Sequence, residues 1–185
     1  MDLLKKRQRL IKEIEIPEGI EVKLDGKLIT IKGPKGEISK LFDEPLVSVE
    51  VKDGMVKLLP NGSNNRQKMY INTYLAHLKN MFKGVQEGFE YKLKICSSHF
   101  PMSVSVSGNK VIIKNFLGEK VPREAIILPN VEVKINGDEM IVVGVNKEFV
   151  GQTAANIELA TKIKNLDRRI FQDGIWITKK ADRVI

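Results

Sequence analysis

Cysteine, histidine and tryptophan are scarce in this chain. Its 185 residues hold one cysteine, Cys96, one tryptophan, Trp176, and two histidines, His77 and His99. A lone cysteine forms no disulfide within its chain, fits a reducing compartment and leaves no cysteine-rich zinc site. No Cys/His/Asp cluster has metal-ligand spacing. His77 falls among Tyr74, Leu75 and Leu78, as a helix residue does, and His99 precedes a strand beside Ser97, Ser98 and Pro101. No serine and histidine form a nucleophile elbow. Gly33-Pro34-Lys35-Gly36 lacks the Walker spacing and reads as a turn, with Lys32 and Lys35 placed for phosphate contact. The parts of an active site are missing, so the expectation is no enzyme, no metal and no cofactor. Zinc-finger and helix-turn-helix patterns are missing too. So is any apolar run near the ~20 residues that span a bilayer. Residues 1–9 lack the apolar core of a signal peptide, which predicts a cytoplasmic location.

Charge is what the chain has in excess, and it is unevenly placed. The formal net charge is +8. Residues 1–12 carry Lys5, Lys6, Arg7, Arg9 and Lys12 against Asp2. Residues 162–185 carry seven cations against Asp167, Asp173 and Asp182. Each end is therefore +4, and residues 13–161, with 19 cations and 19 acids, are neutral. A neutral folded body with basic ends suits a polyanion partner. Solubility alone also accommodates such a charge.

Between the ends one programme runs twice. Apolar and polar residues alternate on both sides of Asp25-Gly26 and again around Asp53-Gly54, which predicts two hairpins. Tyr70, Ile71, Tyr74, Leu75, Leu78, Met81 and Phe82 then recur at three- and four-residue steps. That spacing predicts a helix over about 65–83, with Gly84 as its stop. At an offset of 82, Gly26 meets Gly108, Ile31 meets Ile113, Gly36 meets Gly118, and Val49-Glu50-Val51-Lys52 meets Val131-Glu132-Val133-Lys134. A second helix is expected near 152–164, with Thr153 able to cap its start. The pattern predicts an α+β class: two tandem related domains, each a mostly antiparallel sheet packed by one helix. The expected divisions are a basic arm 1–12, repeats 13–84 and 85–166 with a boundary near Gly84–Gly88, and a basic C-terminal extension 167–185.

The copies differ after the second helix, within the stretch Val150–Trp176. Lys162, Lys164, Asn165, Arg168, Arg169, Phe171, Gln172 and Trp176 lie close together there, and Asp173-Gly174 marks a turn. Cations and amides bind phosphates, while rings and guanidinium planes stack on bases. A solvated basic helix end fits the same residues.

In this order, the motifs identify a resemblance covering nearly the whole chain. Ile16-Pro17-Glu18-Gly19, Ile31-Lys32-Gly33-Pro34-Lys35-Gly36-Glu37, Val150-Gly151-Gln152-Thr153-Ala154-Ala155-Asn156-Ile157 and residues 165–175 resemble the large-subunit ribosomal protein L-six family, called L-nine in eukaryotes. The run Asp167-Arg168-Arg169-Ile170-Phe171-Gln172-Asp173-Gly174 stands where the bacterial branch has a Pro-, Lys- and Gly-rich segment, and so resembles the archaeal and eukaryotic branch. The resemblance implies a structural protein of the large ribosomal subunit. Its partners would be large-subunit rRNA near the sarcin–ricin loop and factor-binding region, and neighbouring ribosomal proteins. It implies no membrane and no small-molecule substrate. Carried onto this sequence, the RNA contacts would be Lys162, Lys164, Asn165, Arg168, Arg169, Phe171, Gln172, Gly174 and Trp176. Phe171 and Trp176 also fit packing against the second sheet, which for Trp176 ranks above base stacking. The rival function is a duplicated protein-interaction adaptor with basic docking ends.

Overall fold

Alternating residues around glycine-containing turns set most of the architecture. The computed structural model describes residues 10–52, 54–167 and 169–185; most of the basic arm, Asp53 and Arg168 lie outside the described residues. In the first half β1 (Lys12–Glu15), β2 (Glu21–Asp25), β3 (Leu28–Gly33), β4 (Gly36–Leu41), β5 (Val47–Lys52) and β6 (Met55–Pro60) lead into α1 (Asn65–Gln86). In the second half β7 (Phe89–Cys96), β8 (Ser103–Ser107), β9 (Lys110–Lys114), β10 (Arg123–Ile126), β11 (Val131–Asn136) and β12 (Glu139–Gly144) lead into α2 (Lys147–Ala160). Two further strands follow, β13 (Gly174–Lys180) and β14 (Arg183–Val184). Contacts divide the chain between Glu87 and Gly88. The α+β duplication holds, and each unit distributes its strands over two antiparallel sheets.

The first unit pairs its strands as β1-β6-β5 and β2-β3-β4. Asp25 lies opposite Leu28 and Lys52 opposite Met55, so the Gly26 and Gly54 turns are both tight hairpins. Gly33 lies opposite Gly36, which leaves Pro34 and Lys35 as the turn. That turn rests on α1: the Lys35 amide donates to the Val85 carbonyl at 2.9 Å, and a Cβ on Gly33 would meet the Val85 side chain at 2.9 Å. Ile29, Ile31, Val56 and Leu58 from the sheets bury against Ile71, Leu78 and Val85 of the helix. The helix passes through Gly84, the expected stop, and ends at Gln86. Gly84 is buried and Val85 extends the apolar face beyond it. Packing outweighs the roughly 1 kcal/mol that glycine costs a helix.

The second unit forms the sheets β10-β9-β8 and β11-β12-β7-β13-β14. Its helix begins five residues before the expected start. The N-cap is Asn146, whose side chain accepts from the Glu148 amide at 2.9 Å. Thr153, the expected cap, is buried inside the helix and accepts from the Leu128 amide at 3.2 Å. Gly151 lies within the helix because Tyr91 crosses it there; a Cβ would sit 3.2 Å from the Tyr91 hydroxyl. Asn64 and Asn146, the two N-caps, keep the repeat offset of 82.

Two features have no counterpart among the described residues of the first unit. Where the first unit turns through Pro34-Lys35, the second inserts a 3-10 turn, Phe116–Gly118, and a loop to Arg123. Gly36 and Gly118 are therefore not equivalent in space: one sits in a strand ladder, the other takes a left-handed turn at φ +78. The segment 167–185, expected as an extension, supplies β13, which lies inside the sheet between β7 and β14. Ile175 is fully buried in the core with Leu93, Met140, Val142, Val150, Ala154 and Ile157. That burial makes the segment a structural strand.

Candidate nucleic-acid interface

The connection from α2 to β13 runs from Thr161 to Asp173, and buried polar anchors hold both of its ends. Thr161, buried, accepts from the Ile175 amide at 2.9 Å and donates to the Glu158 carbonyl at 3.1 Å. Asp173 is also buried, and its Oδ1 accepts from the Ser98 amide at 2.9 Å and the Ser98 hydroxyl at 2.7 Å. Sequence reading took Asp173 for a turn residue; it is a bolt to the β7–β8 loop.

Arg123 is a third anchor, and sequence reading missed it. Its Nη1 donates to the carbonyls of Ala160 at 2.9 Å and Lys162 at 3.2 Å, the open end of α2. Its Nε and Nη2 fork onto Glu119 at 2.8 and 2.6 Å, and the guanidinium lies 4.2 Å over the Phe116 ring. That hydrogen bonding holds the Glu119 carboxyl below its ordinary range. The inserted 3-10 loop thus supplies both partners of the arginine that closes the helix. The one available signal was the loop's extra length over the first copy.

Between the anchors every described side chain except that of Ile163 is exposed. Lys162, Lys164, Asn165, Arg169 and Gln172 are exposed, and Phe171 is 38% exposed. Asn165 takes a left-handed turn at φ 60, which asparagine tolerates. Asp167 then shapes the chain: its Oδ1 accepts from the Arg169 amide at 2.9 Å, and its carbonyl accepts from the Phe171 amide at 2.9 Å. The Arg169 guanidinium folds back onto the same carboxylate at 2.8 Å, which pulls the Asp167 pKa down. The Gln172 side chain donates to the Arg169 carbonyl at 3.3 Å. Arg168 lies outside the described residues.

Gly174 and Trp176 stand apart from these exposed groups. Gly174 is buried, and a Cβ on it would meet the Trp176 ring at 3.1 Å. The indole N–H donates to the Gln172 carbonyl at 3.2 Å, and the ring lines a cleft of about 310 Å³ with Leu159, Lys162 and Ile163. Trp176 is half-buried and fixed, with part of its surface in that cleft.

The sequence that forms these elements is similar to that of known proteins. A family model described as ribosomal protein L6 matches residues 16–88 and again 100–174, one match in each unit. The chain belongs to the ribosomal protein L6 family. It is 51% identical over 174 residues to the large ribosomal subunit protein uL6 of Methanosarcina mazei, spanning 94% of this chain and 99% of that one. It is 49% identical over 173 residues to the protein of the same name from Methanococcus vannielii, spanning 94% of this chain and 95% of that one. Both relatives are archaeal, in keeping with the Asp167–Gly174 run. Among the described residues no group of three His, Cys, Asp or Glu side chains is placed to hold a metal ion. No helix among them is long and apolar enough to cross a membrane.

The Asp167–Arg169 pair separates charge from shape within this connection. Asp167→Asn keeps an oxygen for the Arg169 amide but releases the guanidinium. We expect affinity for polyanions to rise about two- to fivefold, since one more cation becomes available. Asp167→Ala, which also loses the amide acceptor, should show a smaller gain, and filter binding to a structured RNA at two salt concentrations checks the difference.

Proposed function

We propose that this chain is a structural constituent of the large ribosomal subunit of the cytoplasmic ribosome. It binds large-subunit rRNA near the sarcin–ricin loop and the factor-binding region, next to other ribosomal proteins. Membership of a ribosomal protein family gives the ribosomal role, and the relatives' names give the large subunit. The observation that carries the RNA reading is the α2–β13 connection. Its backbone is bolted by Thr161, Asp173 and Arg123, while Lys162, Lys164, Asn165, Arg169 and Gln172 point outward. Pre-set cations and amides bind phosphate and sugar without losing backbone freedom on binding. Arg168, next to Arg169 in sequence, belongs to the same proposal. Phe171 has one exposed side for a base, whereas Gly174 and Trp176 shape the connection from beneath.

The test is a salt titration of binding to an rRNA fragment containing the sarcin–ricin region. Lys162→Gln/Lys164→Gln/Arg169→Gln should bind roughly 10- to 100-fold more weakly at moderate salt, and its log–log salt slope should be shallower by about two to three. An unchanged slope in this folded variant would mean that the connection is structural and that the RNA contacts lie elsewhere.

A further inference from the structure

We infer that the uncovered flank of α1 is a second RNA-docking face, which takes the phosphates of a further rRNA segment. This rests on the ribosomal reading above and extends it to the first unit.

The flank is chemically one-sided. α1 is 22 residues long and contains no aspartate or glutamate, although 23 of the 185 residues are acidic. Lys68, Asn72, Ala76 and Lys79 follow one another at three- and four-residue steps and are all exposed, while Ile71, Leu78, Phe82 and Val85 are buried. Those steps align the first set along one side of the helix. Lys68 to Lys79 spans about 16 Å at the helical rise of roughly 1.5 Å per residue. Ala76, in the middle, lets a backbone come close. Arg66 lies one turn before Tyr70. The side chains of Arg66, Lys68 and Lys79 have no hydrogen-bond or ion-pair partner among the described residues.

The duplicate within the same chain serves as a control. At the offset of 82, Lys68, Asn72, Ala76 and Lys79 correspond to Val150, Ala154, Glu158 and Thr161. Val150, Ala154 and Thr161 are buried, and α2 packs there against the inner strands, β13 among them. The equivalent sheet of the first unit ends at β1, with no strand beyond it among the described residues. The flank that the second unit closes with protein is exposed in the first unit and carries Lys68, Asn72 and Lys79. Arg66 corresponds to Glu148, the acid in the first turn of α2. Arg66 stands two residues from Lys68, roughly 200° around the helix, and so lies outside the row. A protein strand is the poorer occupant: β1 reads Lys12-Glu13-Ile14-Glu15, and a charged edge discourages strand addition. Two lysines with an amide between them fit phosphate and sugar.

The test uses the full chain and a transcript of the large-subunit rRNA, with binding measured across salt. Two variants are compared, Lys68→Gln/Lys79→Gln on the row and Arg66→Glu off it. We expect both to melt at or above the wild-type temperature. We expect the double variant to bind about 5- to 50-fold more weakly, with a slope shallower by about one to two. Wild-type affinity and slope in both variants, while Lys162→Gln/Lys164→Gln binds weakly, would overturn this inference alone and leave a merely solvated face. Wild-type protein that holds the transcript no better than an unrelated RNA of equal length would overturn the ribosomal reading and this inference with it.

Discussion

Arg123→Ala should destabilise the second unit by about 2–4 kcal/mol. That sum comes from two hydrogen bonds to carbonyls, a partly exposed ion pair of under about 1 kcal/mol and a stacked ring of similar worth. For a unit of this size the melting temperature should drop by roughly 10 °C or more. The loss falls on the end of α2, because the carbonyls of Ala160 and Lys162 lose their donor together. Arg123→Lys keeps the charge but not the planar fork and should recover less than half. The same contact predicts a pH dependence. Hydrogen bonding from Arg123 depresses the Glu119 carboxyl from its ordinary value of 4.5. A depressed acid contributes stability above its unfolded pKa and loses it as pH falls through the folded one. Wild-type protein should therefore lose part of the clasp below pH 4.5, and Arg123→Ala should have none of that component to lose. Thermal melts across that range, with and without the substitution, check both statements. Equal acid sensitivity in the two proteins would show that the clasp does not govern stability.

Asp173→Ala is the second large effect, at about 3 kcal/mol. The buried Oδ1 accepts two hydrogen bonds from Ser98, and alanine would leave the Ser98 amide and hydroxyl without their acceptor. Hydrogen bonds to a charged acceptor are worth about 1.5–3 kcal/mol each, and the exposed Ser98 can turn its freed donors to water, which keeps the total at the low end. Asp173→Asn retains one carbonyl oxygen and should lose about half as much. Ser98→Ala removes only the hydroxyl and should cost about 1 kcal/mol. Urea melts rank the three, and hydrogen exchange at Ile175 and Trp176 should accelerate most in Asp173→Ala. If all three variants fell within about 0.5 kcal/mol of wild type, the site would behave as open surface and the bolt would not exist.

The hairpins, the first helix and the duplication were legible because each rests on local rules. Period-two alternation around a glycine turn gave the strand pairs, and three- and four-residue steps gave α1. The start of α2 was misplaced because Thr153 was read as its cap, whereas Asn146 caps it and Gly151 lies inside. The tight approach of Tyr91, a contact across 60 residues, is what keeps glycine inside the helix. Carrying the offset from Asn64 to Asn146 would have placed the start correctly. The outward cations of the α2–β13 connection could be read from sequence as a group. Their supports could not: Arg123 and Ser98 lie far away in sequence, and no period joins them to the segment they hold. β13 was hidden for a related reason. It has no copy in the first half from which to recognise it, and its basic residues read as a tail.

The interior position of β13 has a consequence for how the chain is made. The Ser98–Asp173 contact closes a span of 75 residues, and β13 pairs with β7 over a similar distance. Contacts so far apart form late, because a long loop must lose its freedom before they can reward it. The first unit, whose strands and helix end by Gln86, can settle while the second is still being translated. The second must wait with a gap beside β7 until residues 174–180 have emerged. Until then the connection carrying Lys162 and Lys164 is held only at its Arg123 end, and loosely placed cations attract polyanions without selection. The proposed RNA surface of the α2–β13 connection is thus the last part of the chain to take shape, and a nascent chain halted before Gly174 would have the charge of the finished protein in that stretch without its shape.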